Sequence, residues 1–118
     1  MSKNTLHSEN YQKFLNLVKA IRSLPTFPGM DAVENSLLEG FAAVWHTGKR
    51  ITVLEAMNMT PNVSPSTVHR RLKTLRAKGM IVLVNDTVDS RTKYVMPTDL
   101  ATQYFDQLGQ CMEVARGS

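Results

Sequence analysis

The chain has 118 residues, is 42% hydrophobic and 20% charged, and carries a net charge of +4. That length is enough for one domain that folds without a disulfide or structural metal, and the one cysteine, Cys111, has no internal partner to bridge. The longest apolar runs, such as Ile81 to Val84, are far too short to span a bilayer, and Met1-Ser2-Lys3-Asn4 is not followed by the apolar core of a secretory signal, so a soluble cytoplasmic protein with no membrane partner is expected.

In chain order, Tyr11, Phe14, Leu15, Val18 and Ile21 recur at helical spacing, which predicts an amphipathic helix over residues 8–23. Pro25 and Pro28 close it, because each disfavours helical backbone in the residue before it. Asp31 and Glu34 then form a capping-box pattern for a second helix, whose face carries Val33, Leu37, Leu38, Phe41, Val44 and Trp45 and whose end is marked by Gly48. Thr52 and Glu55 repeat the capping signature and open a short helix from Val53 to about Met59. After the turn Thr60-Pro61-Asn62-Val63, Ser64 caps a helix with Pro65 at its first position, running to Lys78 and stopping at Gly79. Met80 to Val84 and Lys93 to Met96 are β-prone and read as a two-stranded hairpin with a long, mobile tip. Pro97-Thr98 opens a last helix with Leu100, Tyr104, Phe105, Leu108 and Met112 on one stripe, and Cys111 one residue off it.

This order predicts a mainly α protein with a small β-hairpin, an α+β winged helix-turn-helix flanked by N- and C-terminal helices. Within one domain, residues 6–47 supply core support and dimerisation, 48–97 the winged part, and 98–116 a C-terminal dimerisation helix. The charge is concentrated in the middle: residues 48–98 have a net charge of +6, and no acid stands between Glu55 and Asp86. A polyanion is the natural partner for such a segment, and a solvated basic face is the plainer alternative.

On a helical wheel of about 100° per residue, Val68, Leu72 and Leu75 anchor the basic helix. Ser66, Arg70, Lys73 and Thr74 then project away, with Thr67 on the flank. Hydroxyls and lysines suit phosphate oxygens, and an outward arginine presents two parallel donors to guanine. Ser66, Thr67 and Arg70 lie in the half that enters a groove deepest. Arg76 and Lys78 sit at the C-terminal end, where cations also favour the helix dipole, and that reading stands at least level with DNA contact for them.

The stretch Ser64-Pro65-Ser66-Thr67-Val68-His69-Arg70-Arg71-Leu72, with Leu75 and Lys78-Gly79-Met80-Ile81, resembles the recognition helix of the MarR (multiple antibiotic resistance regulator) family. Asp89-Ser90-Arg91-Thr92-Lys93-Tyr94-Val95 with Pro97-Thr98 resembles that family's Asp-x-Arg wing and the step into its next helix, although Pro97 replaces the customary leucine. The turn between the two helices, Asn58 to Val63, is also longer than usual. The resemblance covers residues 50–105. It implies a transcriptional regulator with the helix over 65–78 in the major groove and the wing over 85–92 in the minor groove. It also implies that Arg91 enters the minor groove and that Asp89 orients it. The DNA-binding set is thus Ser64, Ser66, Thr67, Arg70, Lys73, Thr74, Arg91 and Lys93.

Phe14, Val18, Ile21, Tyr104, Phe105, Leu108 and Met112 exceed what so small a core needs, so a homodimer is expected, presenting two recognition helices to palindromic double-stranded DNA. His7, His46 and His69 share no ligand spacing, so no metal and no cofactor are expected. No Gly-rich phosphate loop, HExxH or nucleophile elbow is present, and no enzyme is predicted. No residue pattern specifies a small-molecule effector. A protein-interaction module, or an accessory DNA-binding factor in replication, plasmid or phage biology, remains the alternative.

Overall fold

The computed structural model describes residues 3–117, so Met1-Ser2 at the start, read above for a leader, lies outside the described residues. In order the elements are α1 (Lys3–Arg22), α2 (Ala32–His46), β1 (Ile51–Thr52), α3 (Val53–Met57), α4 (Pro65–Ala77), β2 (Ile81–Asn85), β3 (Lys93–Pro97) and α5 (Asp99–Gly117). They divide into two compact units: Met1–Gly29 with Thr102–Ser118, and Met30–Ala101. None of the described helices is long and apolar enough to cross a membrane.

Caps set the element boundaries in the central unit. Asp31 Oδ1 accepts from Glu34 N at 2.8 Å while Glu34 Oε1 accepts from Asp31 N at 2.9 Å, closing the box that starts α2. Thr52 and Glu55 do the same for α3. Ser64 caps α4, with Pro65 inside the first turn. Each such cap stabilises its helix by about 1 kcal/mol. At the end of α4, Gly79 adopts φ +77°, Gly79 N donates to Arg76 O at 3.0 Å and Met80 N donates to Leu75 O at 3.0 Å. This reversal needs a left-handed residue, which glycine enters at no steric cost. It turns the chain straight from α4 into β2.

The sheet has three strands, not the expected two, in the order β1-β3-β2. β1 is two residues long and pairs Ile51 with Val95 and Thr52 with Tyr94. So short a strand has no alternation of its own; its pairing partner defines it. β3 also runs one residue further than expected, since Pro97 pairs with Ile81, and it is Thr98 that caps α5 by accepting from Ala101 N at 3.1 Å. Proline is tolerated at a strand end, where its missing N–H leaves no ladder bond unmade. Leu37, Leu38 and Phe41 of α2, Val68, Leu72 and Leu75 of α4, and Met80, Ile81 and Val95 form the buried core of this unit. Trp45 ties α2 to the sheet by donating Nε1 to Val95 O at 3.0 Å.

The terminal unit corrects the stripe expected on the last helix. Its buried residues there are Tyr104, Cys111 and Ala115, with Ala101 buried just before the unit begins, whereas Met112 is 62% exposed. Cys111 therefore lies on the stripe, not beside it. Val18 and Tyr104, expected at a dimer interface, are core residues of the monomer. The Tyr104 ring packs edge-on against Phe27 at 5.2 Å, and its hydroxyl accepts from Arg22 Nε at 2.9 Å. Phe14, Ile21, Phe105 and Leu108 are half-buried. Among the described residues, the large apolar side chains left in solvent on these helices are Tyr11, Met112 and Val114.

Candidate nucleic-acid interface

Three flanks of α4 have different surroundings. Val68 and Leu75 are fully buried and Leu72 nearly so, which fixes one side against the core. Ser66, Arg70 and Lys73 are exposed on the opposite side, with Ser64 exposed at the cap. Thr67 is half-buried and local: Ser64 Oγ donates to its hydroxyl at 2.9 Å, and Arg70 Nη2 reaches the same hydroxyl at 3.5 Å.

Thr74 does not project outward as the wheel had it. It is half-buried, and its Oγ1 donates to Glu34 Oε2 at 2.7 Å. Lys78 Nζ sits 2.7 Å from Glu34 Oε1, and Arg71 Nε lies 2.8 Å from Asp31 Oδ2. On the wheel, Arg71, Thr74 and Lys78 share a stripe about 60° wide, roughly 90° from the hydrophobic anchor. That stripe faces the start of α2. Glu34 is 1% exposed. Burial alone would raise the pKa of its carboxyl, but hydrogen bonds from Lys78, the Asp31 N–H and Thr74 outweigh it and hold the group below the ordinary range.

On the other flank, α4 and the hairpin enclose a cleft. One part, about 470 Å³, is lined by Thr52, Leu54, His69, Arg91, Thr92 and Lys93 among others. An adjoining part of about 200 Å³ includes His69, Lys73, Arg76 and Lys93. No carboxylate lines either part. Folding thus brings Lys73 of α4 beside Lys93 of the wing, and Arg91 beside His69.

The loop 86–92 is closed by its own hydrogen bonds. Asp86 Oδ2 accepts from Val88 N at 3.0 Å and Asp89 N at 2.9 Å, and Asp86 Oδ1 accepts from the Tyr94 hydroxyl at 3.0 Å. These bonds, the two backbone ones foremost, lower the Asp86 pKa, while the same contact with Asp86 raises that of Tyr94. Arg50 stacks over the Tyr94 ring at 4.3 Å. At the tip, Asp89 Oδ1 accepts from Arg91 N at 3.0 Å and stands 3.5 Å from Arg91 Nε. The Arg91 side chain is nonetheless 93% exposed. It is held at its base and free at its head.

No protein-family model matches the chain, and no curated protein matches it by sequence. Solved structures match its fold. Transcriptional regulator Tm0710 from Thermotoga maritima superposes with a TM-score of 0.66 at 18% identity, covering 94% of this chain and 72% of that one. The MarR fold decides the comparison: a MarR variant from E. coli complexed with operator DNA gives a TM-score of 0.53 at 20% identity over 93% of this chain and 75% of that one. The chain has the MarR-type winged-helix fold. The heme sensor protein PefR from Streptococcus agalactiae, in complex with heme, shares it with a TM-score of 0.60 at 20% identity over 94% of this chain and 71% of that one. In this fold α4 leads directly into β2, and the loop 86–92 joins β2 to β3.

Sequence reasoning passed over Glu34 and Asp86 in this region and left the roles of His69 and Arg76 open. Glu34 stands in line with Leu37, Leu38 and Phe41 at the spacing of a buried stripe, which marks it as a carboxylate aimed at the core. Its capping role accounted for it too early. His69 and Arg76 enter the cleft only because β2 turns back along α4. Asp86 has a local signal: an Asp two and three residues before the backbone N–H groups it accepts is a common turn former.

Proposed function

We propose that this chain is a sequence-specific double-stranded DNA-binding transcriptional regulator of MarR type, with α4 in the major groove and the wing in the minor groove. One observation carries the reading. The cleft between the exposed face of α4 and the hairpin is lined by Lys73, Arg76, Arg91 and Lys93, and no carboxylate lines it. A protein-binding wing needs no such charge, whereas a phosphate backbone does. The E. coli MarR variant with the same fold is complexed with operator DNA, which supports the reading.

Roles follow from position. Arg70, with Ser66 and Thr67 beside it, faces the bases, because the N-terminal half of a recognition helix lies deepest. Lys73 and Lys93 contact phosphates, as point charges suit them. Arg91, aligned by Asp89, enters the minor groove. Ser64 reaches the backbone from the helix cap. Thr74 leaves the contact set, since Glu34 holds its hydroxyl. A homodimer through the terminal helices presents two copies of α4, with the half-buried Phe14, Ile21, Phe105 and Leu108 and the exposed Tyr11, Met112 and Val114 as its apolar contact.

A binding selection on random duplex DNA tests this. A DNA-reading dimer enriches one motif with two-fold symmetry. Recovery of unrelated sequences at equal frequency would overturn it.

A further inference from the structure

The two carboxylates at the start of α2 set the direction in which α4 points, and this inference rests on α4 being the DNA-reading helix. We propose that Glu34 is a positioning residue for DNA recognition, fixing the roll of α4 about its axis. With Asp31 it withdraws Arg71, Thr74 and Lys78 from contact with DNA.

The hydrophobic anchor alone is a soft constraint on roll. Val68, Leu72 and Leu75 form one narrow strip, and aliphatic contacts are non-directional. Hydrogen bonds to charge are directional, and short ones more so. Thr74 and Lys78 both reach Glu34 at 2.7 Å, through different carboxylate oxygens. Arg71 adds an ion pair, without hydrogen-bond geometry, its Nε 2.8 Å from Asp31 Oδ2 one turn earlier along α4. The two acids are themselves locked together, since each accepts the other's backbone N–H in the capping box. Three polar groups on one flank of α4 are thus fixed to a single rigid helix start, about 90° around from the anchor.

Anchor and clamp together define one rotation of α4. A roll of about 10° would carry side-chain atoms roughly 6 Å from the axis through about 1 Å. Specific contacts tolerate displacements of only about 0.5 Å. Phosphate contacts by flexible lysines absorb such a shift, and paired guanidinium contacts to a base edge do not. The clamp therefore bears on discrimination between sequences more than on affinity. The burial of Glu34 shows that its charge is spent inside the protein: at 1% exposure it meets no solvent ion and no DNA.

The same geometry divides the cations of α4 by role. Arg70, Lys73 and Arg76 are exposed. Arg71 and Lys78 are held by acids of α2. Only the first group contributes to counterion release on DNA binding.

The test uses the full chain, one duplex selected from a random pool and one shuffled duplex. Glu34→Gln keeps the side-chain volume and removes the charge that holds Lys78. Its affinity for the selected duplex is expected to fall about 5–10-fold, and for the shuffled duplex less than about 2-fold, in line with lost discrimination. A purely structural role would reduce the active fraction and lower both alike, which would overturn the proposal. If Glu34→Gln does not fold, Lys78→Met and Arg71→Met, on partly exposed positions, decide the matter. Each is expected to lower the selected-to-shuffled ratio and leave the slope of log affinity against log salt unchanged. A slope reduced by about one unit would show a phosphate contact and overturn the clamp. Wild-type protein with no preference between the duplexes would overturn the DNA reading itself, and the clamp with it.

Discussion

At position 34 a carboxylate interrupts the buried stripe of α2, and its hydrogen bonds decide how it titrates. Its pKa is lowered from the ordinary 4.5, so the folded state binds this proton less readily than the unfolded chain. The contribution to stability is therefore complete above the unfolded value and is lost as pH falls through the lowered folded one. Glu34→Gln should cost about 1–2 kcal/mol at neutral pH, the worth of charge-assisted hydrogen bonds, and progressively less on acidification to about pH 3. Denaturant unfolding of both proteins across that range checks it; a constant gap would show that the charge is not responsible. On the opposite face of α4, Arg70 and Lys73 differ by kind and not by exposure. Arg70→Ala should relax preference at one base position by about 1–3 kcal/mol. Lys73→Ala should weaken binding to every duplex alike and reduce the salt slope by about one unit. Identical behaviour across a duplex panel would make α4 a non-specific clamp.

At the scale of the element, the wing behaves as a closed loop with one projecting side chain. Arg91→Ala should weaken binding to A·T-rich flanks by roughly 1–2 kcal/mol more than to G·C-rich ones, because a narrow minor groove concentrates negative potential. Asp86→Ala removes three hydrogen bonds from the loop without touching Arg91 and should reproduce part of that loss. Competition binding on the two flank types measures both; an Asp86→Ala protein indistinguishable from wild type would mean that the loop needs no preordering. The elements themselves were legible in the sequence wherever their cause is local. Capping boxes at Asp31 and Thr52, the Ser64-Pro65 start and the glycine stop at Gly79 all stand in the structure where the residues put them. What was not legible depends on distant partners. Ile51 becomes a strand only by pairing with Val95, forty-odd positions away, and Thr74 turns inward only because Glu34 waits for it. A helical wheel gives the angle of a side chain and not what lies at that angle.

For the whole molecule, the sequence overstated the apolar surplus of the terminal helices by counting core residues into it. Val18 and Tyr104 are consumed within the chain, so the proposed dimer contact rests on the half-buried Phe14, Ile21, Phe105 and Leu108 with the exposed Tyr11, Met112 and Val114. Of these, Met112 and Val114 are 62% and 56% exposed. The double replacement Met112→Glu with Val114→Glu should keep the helical signal and shift sedimentation from dimer to monomer at micromolar protein, weakening binding to a two-fold site. Sedimentation of the wild type as a 13.2 kDa species would remove the dimer. The MarR-type fold and the cationic cleft between α4 and the hairpin converge on one claim, that this chain reads duplex DNA by sequence. Its most direct test is the affinity for a selected duplex and for its shuffled counterpart, titrated against salt. Sequence reading through α4 and the wing predicts a selected-to-shuffled ratio of about 10³ or more, with both affinities falling steeply as salt rises. Equal affinities at every salt concentration, or binding indifferent to salt, would contradict it.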